Sequence, residues 1–271
     1  FYFYAYTPLQ LIVGIIVDHY RPRYVLLTSV ILCALGSFII AQASNIYWAQ
    51  SGRFLQGFGS AFAFVGTLKL VSLYLPPEKF AKYSGFAQSL GFLGAGFGLL
   101  IIEEMSSLWG WKTMIYIMTI LGVILTIGFM VTLNKKYTPP FQKTDKPDIP
   151  FKTNLYHLLS ILRVSQIWIS ALIACLTFLP TSVFAALWGV PYMEKLHSYS
   201  LHKATLAVSM IFFGWAIGTP MMGWLSDYFK TRVVLIRYGC LVAFFFSIPL
   251  LFWGGMPYGM VCLCFLLFGM A

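Results

Sequence analysis

The chain alternates long apolar runs with short polar islands. The runs lie at about 1–17, 24–44, 47–75, 84–105, 111–133, 165–192, 203–225, 233–253 and 256–271. A bilayer core of about 30 Å takes about 20 helical residues, so most of these runs are long enough to cross one. Membrane strands alternate apolar and polar positions, and these runs do not. The pattern therefore predicts an all-α membrane protein with about nine transmembrane helices in these 271 residues. Trp48, Trp109, Trp111, Trp168 and Trp253 fall near run ends, where indole rings settle at the membrane interface.

Composition agrees with this reading. Only 10% of residues are charged, where a soluble domain carries about a quarter. That argues against an ordinary soluble enzyme, a disordered chain and a disulfide scaffold. The net charge of +10 would suggest a nucleic-acid partner if it formed a basic face. Instead the basic residues sit in the islands, so lipid is the expected partner and nucleic acid is not. With the first helix ending inside, the inner connections carry thirteen of the eighteen basic residues: Arg21, Arg23, Lys79, Lys82, Lys135, Lys136, Lys143, Lys146, Lys152, Arg163, Lys230, Arg232 and Arg237. Excess Lys and Arg marks the cytoplasmic side, so this orientation is expected. All five cysteines lie in apolar runs, and Cys262 and Cys264 would point about 200° apart on a helix, so no metal site is expected.

Residues 134–164 break the apolar pattern with Pro139, Pro140, Pro147 and Pro150 and five lysines from Lys135 to Lys152. They read as a cytoplasmic linker, with a short amphipathic helix expected near 155–162, between a first bundle at 1–133 and a second at 165–271. The same pattern recurs on both sides of it. Gly14, Asp18, Arg21 and Arg23 close one apolar helix, and Gly223, Asp227, Lys230 and Arg232 close another 209 residues later. Equal orientation and an equivalent loop imply parallel, pseudo-symmetric bundles related by an axis along the membrane normal. Phe1 already lies inside an apolar run, and the last run would span only about 24 Å, so both ends read as cut.

These two loops resemble the signature of the major facilitator superfamily, which places glycine, aspartate and basic residues between its helices two and three and again between eight and nine. The family usually has glycine three residues after the aspartate, where this chain has Arg21 and Lys230. Arg53-Phe54-Leu55-Gln56-Gly57 resembles the family's fourth-helix motif. The resemblance implies that the chain covers family helices two to ten. It also implies a conformational latch made by Gly14, Asp18, Arg21 and Arg23 with Gly223, Asp227, Lys230 and Arg232. Asp18 would meet the start of helix eleven, and Asp227 the start of the helix near Ser84. A carboxylate at a helix N-terminus is stabilised by exposed amides, which gives such a contact its holding power. Gly85, Gly94 and Gly98 resemble the antiporter glycine series, but Leu99, Ile102 and Glu103 stand where its later residues belong, which favours symport or uniport.

Polar groups inside spans are costly and invite functional roles. Candidates for substrate or coupling contacts are Arg53, Gln56 and Gln88, with Tyr6 and Gln10 on one face of the first helix together with Gly14. Across the pseudo-axis Thr177, Thr181, Phe184 and Trp188 read as a stripe, with Trp215 on the next helix, and Pro180, Gly189 and Pro191 as an interruption of the stripe's helix. Lys69 reads as snorkelling to the headgroups, and Glu103 and Glu104 as a hydrated helix end. The segments 184–192 and 210–218 resemble the phagosomal amino-acid transporter branch of the superfamily, found in intracellular bacteria. That implies a monomeric, multi-pass carrier in a bacterial inner membrane, using a proton gradient and no cofactor to import an amino acid or related nutrient. The alternatives are an organic-anion or siderophore carrier and a truncated remnant that transports nothing. An enzyme is not expected, because His19, His157, His197 and His202 have no matched acidic partner in the sequence. A pump driven by nucleotide hydrolysis is not expected, because no phosphate-binding glycine loop ending in Gly-Lys-Ser or Gly-Lys-Thr occurs in these residues.

Overall fold

The computed structural model describes residues 1–76, 79–132, 156, 160–230 and 232–271, and the described residues contain helices and no strands. The helices are α1 (Tyr2–His19), α2 (Pro22–Ala41), α3 (Ile46–Ser60), α4 (Ala63–Tyr74), α5 (Phe80–Trp109), α6 (Trp111–Thr132), α7 (Ser165–Leu179), α8 (Gly189–His197), α9 (Leu201–Phe229), α10 (Arg232–Phe252) and α11 (Tyr258–Met270), with a π-helical stretch Pro180–Trp188 joining α7 to α8. Among the described residues seven spans are long and apolar enough to cross a membrane, with α3 and α4 making one and α7 through α8 another. The apolar helix α11 is shorter, and α1 is not among the seven. Most of the expected linker, half of its short helix and His157 fall outside the described residues, while Tyr156, Ser160 and Ile161 are helical.

The chain forms two compact units, Phe1–Tyr74 with Leu108–Arg163 and Leu75–Ser107 with Val164–Ala271. Sequence order placed α5 with the first bundle, but most of α5 packs within the second unit. The reason is its small-residue face. Gly85, Ser89 and Gly96 all meet α9, and the Ser89 hydroxyl donates to Ala216 O at 2.5 Å.

In the first unit α2 lies against α3 through glycines. A Cβ added at Gly36 would stand 2.7 Å from Gly52 O, and one at Gly59 would stand 2.7 Å from Ser29 O. Without a hydrophobic drive between helices in lipid, such close approach is what holds spans together. Val13, Val17, Val25, Ala61 and Phe62 form the core of this unit. The span α3–α4 breaks at Ala61 and Phe62, and carbonyls around the break are taken by side chains. Ser29 Oγ donates to Gly59 O (2.6 Å), Ser60 Oγ to Gly57 O (3.2 Å) and Gln10 Nε2 to Ala61 O (3.3 Å). Backbone groups left open in a bilayer each cost several kcal/mol; Gly57 O and Gly59 O also accept the Ala61 and Phe62 amides, and Gln10 supplies the donor to Ala61 O.

In the second unit α9 is the central helix, with Ala204, Ala207, Val208, Ser209 and Ile211 buried. It meets α11 glycine to glycine, since a Cβ on Gly214 would strike Leu266 O and sit 2.8 Å from Gly269 Cα. By contrast α7 buries no residue, and its exposed leucines and isoleucines present the apolar surface expected toward lipid.

Candidate functional site

The two matched loops fold differently. Asp18 lies in the last turn of α1, and Arg21 is the extended N-cap of α2 (φ −62°, ψ 122°) ahead of Pro22. Lys230 instead caps α9 in the left-handed conformation (φ 53°, ψ 22°), the backbone that glycine at this family position would adopt without strain. The Asp18 carboxylate is held by Lys69, whose Nζ lies 2.7 Å from Oδ1. Lys69 is therefore not simply extended to headgroups, as its place at a helix end suggested. Its partner is 51 residues away in sequence and became visible only in the fold.

At the second loop α5 and α9 run antiparallel. A Cβ at Gly85 would stand 3.0 Å from Thr219 O and one at Gly223 would stand 3.2 Å from Ala81 O. Asp227 follows Gly223 by one turn on the same face, level with the beginning of α5, and is exposed. Ser84 Oγ, in the first turns of α5, is buried without a hydrogen-bond partner among the described residues. Arg23 lies beside the Tyr24 ring at 5.6 Å from its centroid, and the Arg232 side chain falls outside the described residues. Gly14 has open space around it, with nothing within 4 Å of an added Cβ.

Arg53 is the first element of a polar chain inside the first unit. Its Nη1 donates to Gln56 Oε1 at 3.4 Å, Gln56 Nε2 donates to Ser37 Oγ at 2.7 Å, and Ser37 Oγ donates to Cys33 O at 3.0 Å. Gln56 is thus fixed by α2, while the exposed guanidinium keeps its other donors and, among the described residues, has no carboxylate partner. Ser37 was not a sequence candidate, and a lone serine in an apolar run gives no signal. Tyr6 stacks on Tyr2 (5.6 Å) and packs on the valine core, while Gln10 serves the helix break. A groove of about 520 Å³ in this unit is mostly apolar, lined by Phe1, Ile39, Tyr47 and Phe54 among others, and contains none of the sequence candidates.

Thr181, Phe184 and Trp188 do not form one stripe with Thr177. Pro180 supplies no amide donor, the ladder widens into π-helix, and Gly189 N–H donates to Phe184 O, five residues back. The buried line is Thr181, Ala185, Gly189 and Met193, whereas Trp188 is 65% exposed and Thr177 is exposed. Trp215 Nε1 donates to Thr181 Oγ1 at 2.7 Å, and its ring stacks on Phe92 (5.1 Å) and meets Phe178 edge-on. Phe184 packs on Tyr192 and Phe265. Gln88 is half-buried on α5.

Histidine and acid, unmatched in sequence, meet in space: His202 Nδ1 lies 3.3 Å from Glu103 Oε2. Glu103 is largely buried, unlike the exposed Glu104, so the hydrated end expected for both holds only for Glu104.

A bundle of apolar spans with glycine contacts, a helix break satisfied by side chains, and a guanidinium held inside one span defines a multi-pass integral membrane protein. A family model described as Major Facilitator Superfamily matches residues 1–271, and the chain belongs to that superfamily of transporters, which are not enzymes. It is 26% identical over 259 residues to a proline/betaine transporter of Salmonella typhimurium, covering 87% of this chain and 51% of the relative. It is 25% identical over 269 residues to the glycine betaine/proline/ectoine/pipecolic acid transporter OusA of Dickeya dadantii, with 87% and 51% covered. With the fungal MFS-type transporter VdtG of Byssochlamys spectabilis it shares 27% over 146 residues, 54% of this chain and 26% of the relative. The chain thus spans about a quarter to a half of the length of these relatives.

Proposed function

We propose that the chain is part of a proton-coupled importer that carries an amino acid or related small zwitterion across a bacterial inner membrane by alternating access. The observation that carries this reading is Arg53, an exposed guanidinium within an apolar span whose neighbour Gln56 is oriented by Ser37. A guanidinium in such a setting binds a carboxylate with paired, charge-assisted hydrogen bonds. The named cargoes of two bacterial relatives, proline and betaine, each carry a carboxylate. The likeness of segments 184–192 and 210–218 to the phagosomal amino-acid branch supports the same choice. In this reading Asp18 and Asp227, with their loop partners Gly14, Arg21, Arg23, Gly223, Lys230 and Arg232, latch the inner side. Gln88 and Trp215 face the transport path with the buried Thr181 hydroxyl holding the Trp215 indole from behind, the proton gradient replaces a cofactor, and a monomer suffices.

Uptake of radiolabelled amino acids and betaines into an auxotroph expressing the protein tests this, with and without an uncoupler and with Arg53→Lys. The expected result is saturable uptake of one zwitterion that vanishes on uncoupling and falls about tenfold or more in R53K, because lysine cannot reproduce the planar fork. Uptake confined to dicarboxylates or siderophores would move the carrier to the organic-anion class. A complete lack of uptake would favour a non-transporting protein, and wild-type uptake in R53K would remove Arg53 from the site.

A further inference from the structure

The seam between α5 and α9 ends in a charged contact that the reading above does not use. Along the seam, Gly223 meets Ala81, Thr219 Oγ1 donates to Gly85 O, Ser89 Oγ donates to Ala216 O, and Phe213 covers Gly96. These contacts carry no titratable group. The next contact along the antiparallel pair is His202 with Glu103, at the end that the distribution of basic residues places outside the membrane. The two partners differ sharply in environment, since the Glu103 side chain is 15% exposed and that of His202 is 64% exposed. Closing this end of the seam therefore takes a carboxylate out of water while its partner stays in it.

Other ionisable groups stand at this end on α5, α8, α9 and α11. Glu104 follows on α5, and on α9 the Lys203 ammonium lies 5.9 Å from the Tyr258 ring centroid. Tyr258 on α11 donates its hydroxyl to Lys203 O, Tyr199 packs edge-on against Tyr258, and His197 at the end of α8 stacks on Tyr199. Burial pushes the Tyr199 phenol up, with a smaller contribution from Cys262, so it stays neutral. Glu194 and Lys195 share the last turn of α8 with His197, so a test must separate the pair from His197, Glu104 and Glu194.

We infer that Glu103 and His202 form a protonation-controlled clamp that holds the outer ends of α5 and α9 together. A protonated imidazole beside an ionised carboxylate offsets the cost of burying that carboxylate. Once the imidazole loses its proton, a largely buried anion is left beside a neutral ring, and separation of the helix ends lets water return to it. Protonation of the carboxylate at low pH removes the attraction from the other side. Closure is therefore strongest while the imidazole is charged and the carboxylate ionised, and it declines as pH rises through the histidine's titration. Because His202 stands mostly in water, screening limits the effect to about a two- to fivefold change in the ratio of closed to open ends. The clamp bears on transport only through the alternating-access reading, but its own response to pH is independent of the cargo.

Nitroxides on Ser107 and Leu201, which bracket the pair, report the separation by double electron–electron resonance in the protein held in lipid nanodiscs. The short-distance population is expected to fall about two- to fivefold relative to the long one as pH rises from about 5 to 8. In E103Q that dependence is expected to disappear. In H202R, where the cation no longer titrates, the short population should persist at the alkaline end. His202 is exposed enough to accept arginine, so H202R carries the test even if E103Q does not fold. Distances that ignore pH in the parent protein overturn the proposal, as does a pH response that survives in E103Q/H202Q, which would belong to His197, Glu104 or Glu194. No uptake is measured, so an incorrect substrate class leaves this result standing.

Discussion

Lys69 Nζ and Asp18 Oδ1 lie 2.7 Å apart, which ties α4 to the last turn of α1 within one unit. The aspartate of the first loop motif is thereby neutralised by a cation from its own bundle. The Asp18 side chain is 69% exposed, so water screens most of the attraction. A double-mutant cycle of K69M and D18N, read by thermal unfolding in detergent, is expected to give a coupling of about 0.2–1 kcal/mol. If the latch reading holds, K69M changes the uptake rate by more than that coupling accounts for, because it frees Asp18 for other partners.

The turn at Lys230 is expected to be improvable. Its φ of 53° places a lysine Cβ in the left-handed region, at a cost of about 1 kcal/mol that glycine avoids. Lys230→Gly should raise the unfolding temperature. Arg21→Gly should not, because Arg21 is already extended and glycine there only adds freedom to the unfolded chain.

Glycines that touch a neighbouring backbone should behave unlike those that do not. Gly214→Ala would press its Cβ onto Leu266 O and Gly269, and is expected to destabilise by about 1–3 kcal/mol. Gly94→Ala meets nothing within 4 Å among the described residues and should be neutral or gain about 0.5–1 kcal/mol from helix propensity. The melting temperatures of the two variants should therefore move in opposite directions or differ clearly in size. In the glycine series of α5, close packing accounts for Gly85 but not for Gly94 or Gly98.

Trp215 and Thr181 act as one unit. Trp215→Phe keeps the ring against Phe92 but removes the donor to a threonine hydroxyl that is 2% exposed, at a cost of about 1–3 kcal/mol. Thr181→Val should cost a similar amount by leaving the indole N–H unpaired. The double variant should cost less than the two added together, since neither partner is then stranded, and thermal unfolding of all three checks this.

Much of the architecture was legible in one dimension. Crossing a bilayer demands a minimum apolar length, so span positions follow from runs of residues with little help from context. The loop motif and Arg53 were legible because an aspartate or arginine beside an apolar helix stands out in composition. The expected stripe at Thr177, Thr181, Phe184 and Trp188 was not legible, because it assumed 3.6 residues per turn where Pro180 imposes a wider helix. Assignment of α5 to the first bundle followed chain order, but its partner was chosen by Gly85, Ser89 and Gly96 fitting the surface of α9.

The sequence by itself determined a membrane-spanning helical chain and its superfamily, because hydropathy against a bilayer and short loop motifs are local properties. Only the tertiary structure decided which charges meet. Lys69 finds Asp18 across 51 residues, and His202 finds Glu103 across 99. It also decided that Lys230 turns left-handed while Arg21 stays extended, although the two occupy matching motif positions. Ion pairs and turn conformations of this kind depend on distances of a few ångströms between helices, and those distances are set by side-chain packing that no single stretch of sequence contains.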